Sequence, residues 1–288
     1  MPRSSAPPVS GLGNKRKYRY WRLERLRFLS QLSGLVITNL YLIHLRWFPF
    51  PVMNCYACPL ATFACPIGSL QYAIDAGFFP FYLLGVIFIS GLIFGRVTCG
   101  WLCPFGFIQD LLHKIPTRKF TFPRYLSYGK YFFLLIFVLL LPFLFRQPIF
   151  CKICPVGTLE GGIPWPIIEP QFRSLIGWNY FLKITILVGI IVLSILFSRP
   201  FCKAMCPLGA LLSFFNRFSF LRVEVKKEAC RRCALCATRC PQGIAIYEEE
   251  GHPDCIGCLK CKVFDAVEMK VGVPDKLLGL KKEVERDG

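Results

Sequence analysis

The chain has 288 residues, 54% hydrophobic and only 18% charged, with sixteen cysteines, a formal net charge of +18 and a mean hydropathy of +0.48. Disorder is excluded, because it needs few apolar residues and many charges. A nucleic-acid binder, which gathers its basic residues on a polar face, is excluded too: 21 of the 35 Lys+Arg lie in residues 1–216, scattered between apolar runs that hold only five acids. The pattern that remains is a mainly α, polytopic membrane protein whose basic residues flank its spans.

In chain order, residues 1–27 form a basic arm that acts as a topology signal and meets anionic lipid head groups. Four apolar runs follow at 28–48, 78–97, 129–146 and 178–198, each near the ~20 residues that a spanning helix needs. The third has Pro142 near its end and is expected to be kinked or partly re-entrant. The first is long and lacks a small-x-small cleavage site, so it reads as an uncleaved anchor. Lys and Arg number eight in 1–27, one in 46–77, six in 96–130, three in 146–177 and six in 199–227. That alternation places both termini on the cytoplasmic side of a prokaryotic inner membrane. The connections 49–77 and 147–177 are apolar and Pro/Gly-punctuated, which suits re-entrant segments buried by protein.

Nine cysteines lie in this membrane part, 28–216. Cys-Pro-apolar-Gly occurs four times, beginning at Cys65, Cys103, Cys154 and Cys206. Proline suits the first turn of a helix, where its missing N–H costs nothing. A cysteine just before it sits at the helix mouth, among free N–H groups at the positive end of the dipole. That environment compensates a buried anionic iron–sulfur cluster, and the glycine allows close backbone approach. Each Cys-Pro has an upstream partner: Cys99, Cys151, Cys202, and Cys55 or Cys58. Cys99/Cys103 and Cys202/Cys206 are 103 residues apart, which divides the domain into two repeats, 28–120 and 129–216. Topology gives an inner tetrad, Cys99, Cys103, Cys202 and Cys206. The outer tetrad draws on Cys151, Cys154 and two of Cys55, Cys58 and Cys65. The repeat leaves the spare one open; Cys58 and Cys65 are taken as ligands, with Cys55 the weaker candidate.

The C-terminal part, 217–270, is expected to be a small α+β unit, followed by a charged tail at 271–288. Cys230, Cys233, Cys236 and Cys240-Pro241 have the C-x2-C-x2-C-x3-C-P spacing of bacterial ferredoxins. Cys255, Cys258 and Cys261 resemble the other half of a two-cluster ferredoxin, with Asp265 in the fourth position. The ferredoxin crossover implies that Cys240 completes the set of Cys255, Cys258 and Cys261. Asp265 then falls where a thiolate belongs beside Cys230, Cys233 and Cys236, giving an aspartate-ligated or 3Fe-4S cluster. Zinc is the competing occupant of such spacings.

Together these motifs resemble the NapH/NosR-type membrane polyferredoxins, across roughly residues 28–270. The resemblance implies four 4Fe-4S clusters, two in each part. They would relay electrons between a cytoplasmic donor or acceptor and a membrane or extracytoplasmic partner: a flavoprotein, a cytochrome or the quinone pool. On this reading the chain is an electron-transfer subunit with no catalytic residue of its own. The alternatives are a quinol dehydrogenase or quinone reductase subunit, with His44, Glu160, Glu169 or Lys183 handling protons, and a structural zinc or metal-handling protein.

Overall fold

The computed structural model describes residues 14–40, 45–226, 228, 230, 234–248, 251–262 and 266–272. It is mainly helical, with two small sheets. Among the described residues two helices are long and apolar enough to cross a membrane, Tyr125–Phe145 and Trp178–Leu196, both of mean hydropathy 2.1. They leave large apolar side chains such as Phe132, Leu135, Phe143 and Phe181 facing outward. The Tyr125–Phe145 helix does not break at Pro142; it widens into a π turn over Phe133–Leu140. There the fully buried Gln71 donates to the Phe137 carbonyl at 2.9 Å, and such an inserted side chain suits a widened turn.

The other two apolar runs depart from single spans. The helix Asn14–Thr38 ends inside the first run, and Leu45–Pro49 is a strand paired with Phe63–Ala64. At the stop the Thr38 carbonyl, instead of accepting from a next helical turn, accepts from Thr62 N–H at 2.9 Å and from the Asn54 amide at 3.2 Å. The second run yields Phe81–Phe94, only 14 residues, or ~21 Å at 1.5 Å per residue. That is short of a ~30 Å hydrocarbon core. Toward the C-terminus, Leu221–Val225 and Val267–Val271 pair antiparallel and frame the described cysteines between them.

Candidate iron–sulfur sites

All four Cys-Pro cysteines sit at helix mouths, as the sequence argument requires. Cys65, Cys103, Cys154 and Cys206 are N-caps with φ between −67° and −71° and ψ between 108° and 125°, each with proline in the first turn. Free N–H groups therefore face the sulfurs, as Gly209 N–H does toward Cys206 Sγ at 3.3 Å. What occupies the space left by each glycine differs. A Cβ on Gly68 would meet the Tyr56 ring at 2.5 Å, and one on Gly157 the Cys55 sulfur at 3.6 Å. At Gly106 and Gly209 it would meet the guanidiniums of Arg199 and Arg96, at 3.3 and 3.2 Å.

Three cavities are lined by four cysteines each. Cys99, Cys103, Cys202 and Cys206 line the inner one, about 330 Å³ of space between protein atoms. Cys240, Cys255, Cys258 and Cys261 line another of about 270 Å³, the combination that the ferredoxin crossover implies. Cys230 and Cys236 are also described, whereas Cys233 and Asp265 lie outside the described residues, as does His44.

The outer cavity is larger, about 1350 Å³ including its open mouth, and is lined by Cys55, Cys65, Cys151 and Cys154. Cys58 is not part of it; this buried thiol turns to Asn39 Oδ1 at 3.7 Å. Lys183 lines the cavity mouth. Glu169 accepts from its neighbour Gln171, away from the sulfurs. Met53, 3% exposed, lines both the outer and the inner cavity.

A cross-brace is built at the sixth position after three of the four Cys-Pro cysteines, at Gln71, Gln109 and Glu160; the fourth such position is Leu212. Gln71 Oε1 accepts from Cys151 N–H at 3.1 Å, and Glu160 Oε2 from Cys55 N–H at 2.5 Å. Gln109 Nε2 donates to Cys202 Sγ at 3.2 Å. Each of the three thus holds the upstream cysteine of another Cys-Pro pair, and Leu212 alone cannot. The six-residue offset was present in the sequence as a second signal, and it pairs Cys55, not Cys58, with Cys151.

Two arginines missing from the motif reading flank the inner cavity. Arg96 and Arg199 are 1% and 0% exposed and, like the cysteines three residues after them, lie 103 apart. Arg199 forks onto Asp110 at 2.6 and 3.0 Å and donates to Cys99 O at 2.8 Å. Its φ of 51° is left-handed, an unusual state for a non-glycine, and the fork with Asp110 helps to hold it. Arg27 also pairs with Asp110. Burial alone would raise the Asp110 carboxyl, but Arg199 and Arg27 outweigh it and hold the group well below the usual carboxylate range. Arg96 pairs with Asp254 at 2.8 Å, and Lys130 joins the same carboxylate.

Asp254 immediately precedes the Cys255–Cys258 loop, and that loop seats directly on the helix Val97–Trp101, which carries Cys99. Trp101 Nε1 donates to Gly257 O at 3.0 Å, and Asn216 holds the carbonyls of His252 and Cys255. A Cβ on Gly100 would lie 2.2 Å from Ile256 O, a backbone atom with no easy escape. Gly100→Ala is therefore expected to loosen this seat at a cost of about 1–3 kcal/mol. Faster proteolytic cleavage of the C-terminal part, relative to wild type, checks it.

These geometries agree with comparisons to known proteins. The family described as "4Fe-4S binding domain" matches residues 76–123, 131–166 and 181–227, segments that hold Cys99, Cys103, Cys151, Cys154, Cys202 and Cys206. The chain is 34% identical to uncharacterized protein MJ0750 of Methanocaldococcus jannaschii, over 62% of this chain and 72% of that protein. It is 31% identical to regulatory protein NosR of Stutzerimonas stutzeri, over 60% of this chain but only 24% of NosR. It is 29% identical to the methylamine utilization ferredoxin-type protein MauN of Paracoccus denitrificans, over 59% of this chain and 57% of MauN. No solved structure matches. The chain belongs to the family described as "4Fe-4S binding domain", and its relatives include proteins named as ferredoxin-type.

Proposed function

We propose that the chain is a membrane electron relay with four 4Fe-4S clusters, working between a cytoplasmic redox partner and a membrane or extracytoplasmic one. The observation that carries this is the line of three cysteine cavities: the ferredoxin loop seated on the Cys99 helix, then the inner tetrad, then Met53, then the outer tetrad. Bound there, the clusters supply one-electron carriers. The chain's own part is to hold four sulfurs per cavity, aim N–H groups at them, exclude water from the inner two and keep the cavities adjacent through Met53 and the loop seated on the Cys99 helix.

The ligand sets proposed are Cys240, Cys255, Cys258 and Cys261; Cys230, Cys233 and Cys236 with Asp265; Cys99, Cys103, Cys202 and Cys206; and Cys55, Cys65, Cys151 and Cys154. The outer set replaces Cys58 of the sequence reading by Cys55. Re-entrant segments at 49–77 and 147–177 bring this outer set toward the inner one, and the placement of Met53 supports that. The helix Asn14–Thr38 caps the Val97–Trp101 helix through Arg27, Ser30 and Gln31, and Arg239 lies over the Tyr20 ring. Those contacts support N- and C-terminal parts on one side of the membrane.

A second reading rests on the outer cavity, which is larger and more open than the inner one and mostly apolar, with Lys183 in its lining. That leaves room for a quinol ring beside the sulfurs, which would make the chain a quinol-linked subunit. Protein purified anaerobically in detergent is expected to be brown, with broad visible absorption and acid-labile sulfide. A colourless preparation without sulfide overturns the relay. Bleaching by a short-chain quinol favours the second reading, whereas bleaching by dithionite alone favours conduction.

A further inference from the structure

Two matching groups of three buried or half-buried charges flank the cysteine helices of the inner cavity, and Arg96 lines the cavity itself. Arg199, Arg27 and Asp110 form one; Arg96, Lys130 and Asp254 form the other. Each has two cations on one carboxylate and so retains one positive charge. Four thiolates on an oxidised 4Fe-4S core carry about two units of negative charge, and an anion in apolar surroundings needs such compensation. The two guanidiniums lie where the glycines of the Cys-Pro motifs leave room, over the mouths of the helices that bear Cys103 and Cys206. The groups differ in one respect. Asp110 belongs to the membrane part, whereas Asp254 is carried on the loop that begins the Cys255 motif.

We propose that Arg96 and Arg199 are the fixed counter-charges of the inner cluster, and that Asp254 offsets Arg96, so that the seating of the ferredoxin loop sets the inner cluster's reduction potential. This rests on the relay reading. A one-electron reduction adds one negative charge to the cluster, and a fixed cation beside it favours the reduced form. Removing a guanidinium therefore lowers the potential, and removing the carboxylate that shields one raises it. Arg96 lines the cavity wall itself, so its effect is the larger. The three residues act on the potential through space and are positioning and tuning residues; none is a ligand.

The test is a potentiometric titration of the detergent-purified full-length protein, followed by EPR and visible absorption. The inner cluster is identified by the signal lost in Cys103→Ser. Arg96→Gln is expected to lower that midpoint, Arg199→Gln to lower it less, and Asp254→Asn to raise it, at unchanged iron and sulfide content. Arg96→Lys keeps the charge and is expected to stay nearer wild type than Arg96→Gln. If Arg96→Gln fails to load the cluster, the sign of the Asp254→Asn shift decides. An unmoved or lowered midpoint in Asp254→Asn, with iron content intact, overturns this proposal and leaves the relay standing; wild-type protein without clusters overturns the relay itself.

Discussion

Replacing Asp110 with alanine is expected to destabilise the folded protein by about 3–5 kcal/mol, the range for breaking a buried ion pair from one side. Arg199 is 0% exposed and the Arg27 side chain 6%, so neither guanidinium can turn to water once the carboxylate is gone. The loss also reaches the site. Arg199 and Arg27 hold the carbonyls of Cys99 and Gly100, so the C-terminal end of the helix Val97–Trp101 would loosen, left to Ser30 and Gln31. Asp110→Asn keeps hydrogen bonds but leaves two buried cations uncompensated, so it is expected to fall between alanine and wild type. Denaturant titration of detergent-solubilised protein measures the order. Combining Asp110→Leu with Arg199→Met should cost less than the two single losses added together, since the pair is removed as a unit. Strict additivity would mean that the two side chains do not depend on each other.

What the sequence made legible here is what a repeat or a short local rule can carry. Proline after cysteine placed four sulfurs at helix mouths, where the structure has them as N-caps, and topology grouped Cys99, Cys103, Cys202 and Cys206, which line one cavity. The ferredoxin spacing likewise implied the company of Cys240. The break of the first apolar run at Thr38 was hidden, because hydropathy averages over residues while the Thr38 carbonyl is taken by Thr62 and Asn54, beyond the end of the helix. Buried arginines were hidden for the opposite reason. Arg96 and Arg199 count as flanking charges in a topology argument, and only their common spacing from Cys99 and Cys202 marks them as members of the repeat. Their partners, Asp254 and Asp110, are 158 and 89 residues away, beyond any local rule.

The same reasoning decides between two cysteines three residues apart. Cys55→Ala is expected to cost the protein its outer cluster, about four iron atoms per chain, whereas Cys58→Ala should leave iron and sulfide unchanged. Spacing alone cannot separate them, because Cys55 and Cys58 match the Cys151–Cys154 interval as a pair while Cys65 matches Cys154 in the Pro-apolar-Gly that follows. The brace separates them. Gln71, six residues beyond Cys65, holds the Cys151 amide, and Glu160, six beyond Cys154, holds the Cys55 amide. This reciprocity makes Cys55 the counterpart of Cys151 and puts its sulfur 3.6 Å from where Gly157 and Gly161 would carry a Cβ. Cys58 sits behind that wall with its thiol on Asn39. Iron and acid-labile sulfide assays on the two variants, purified side by side without oxygen, give the answer. Loss from Cys58→Ala with retention in Cys55→Ala would reverse the assignment and remove the brace as its cause.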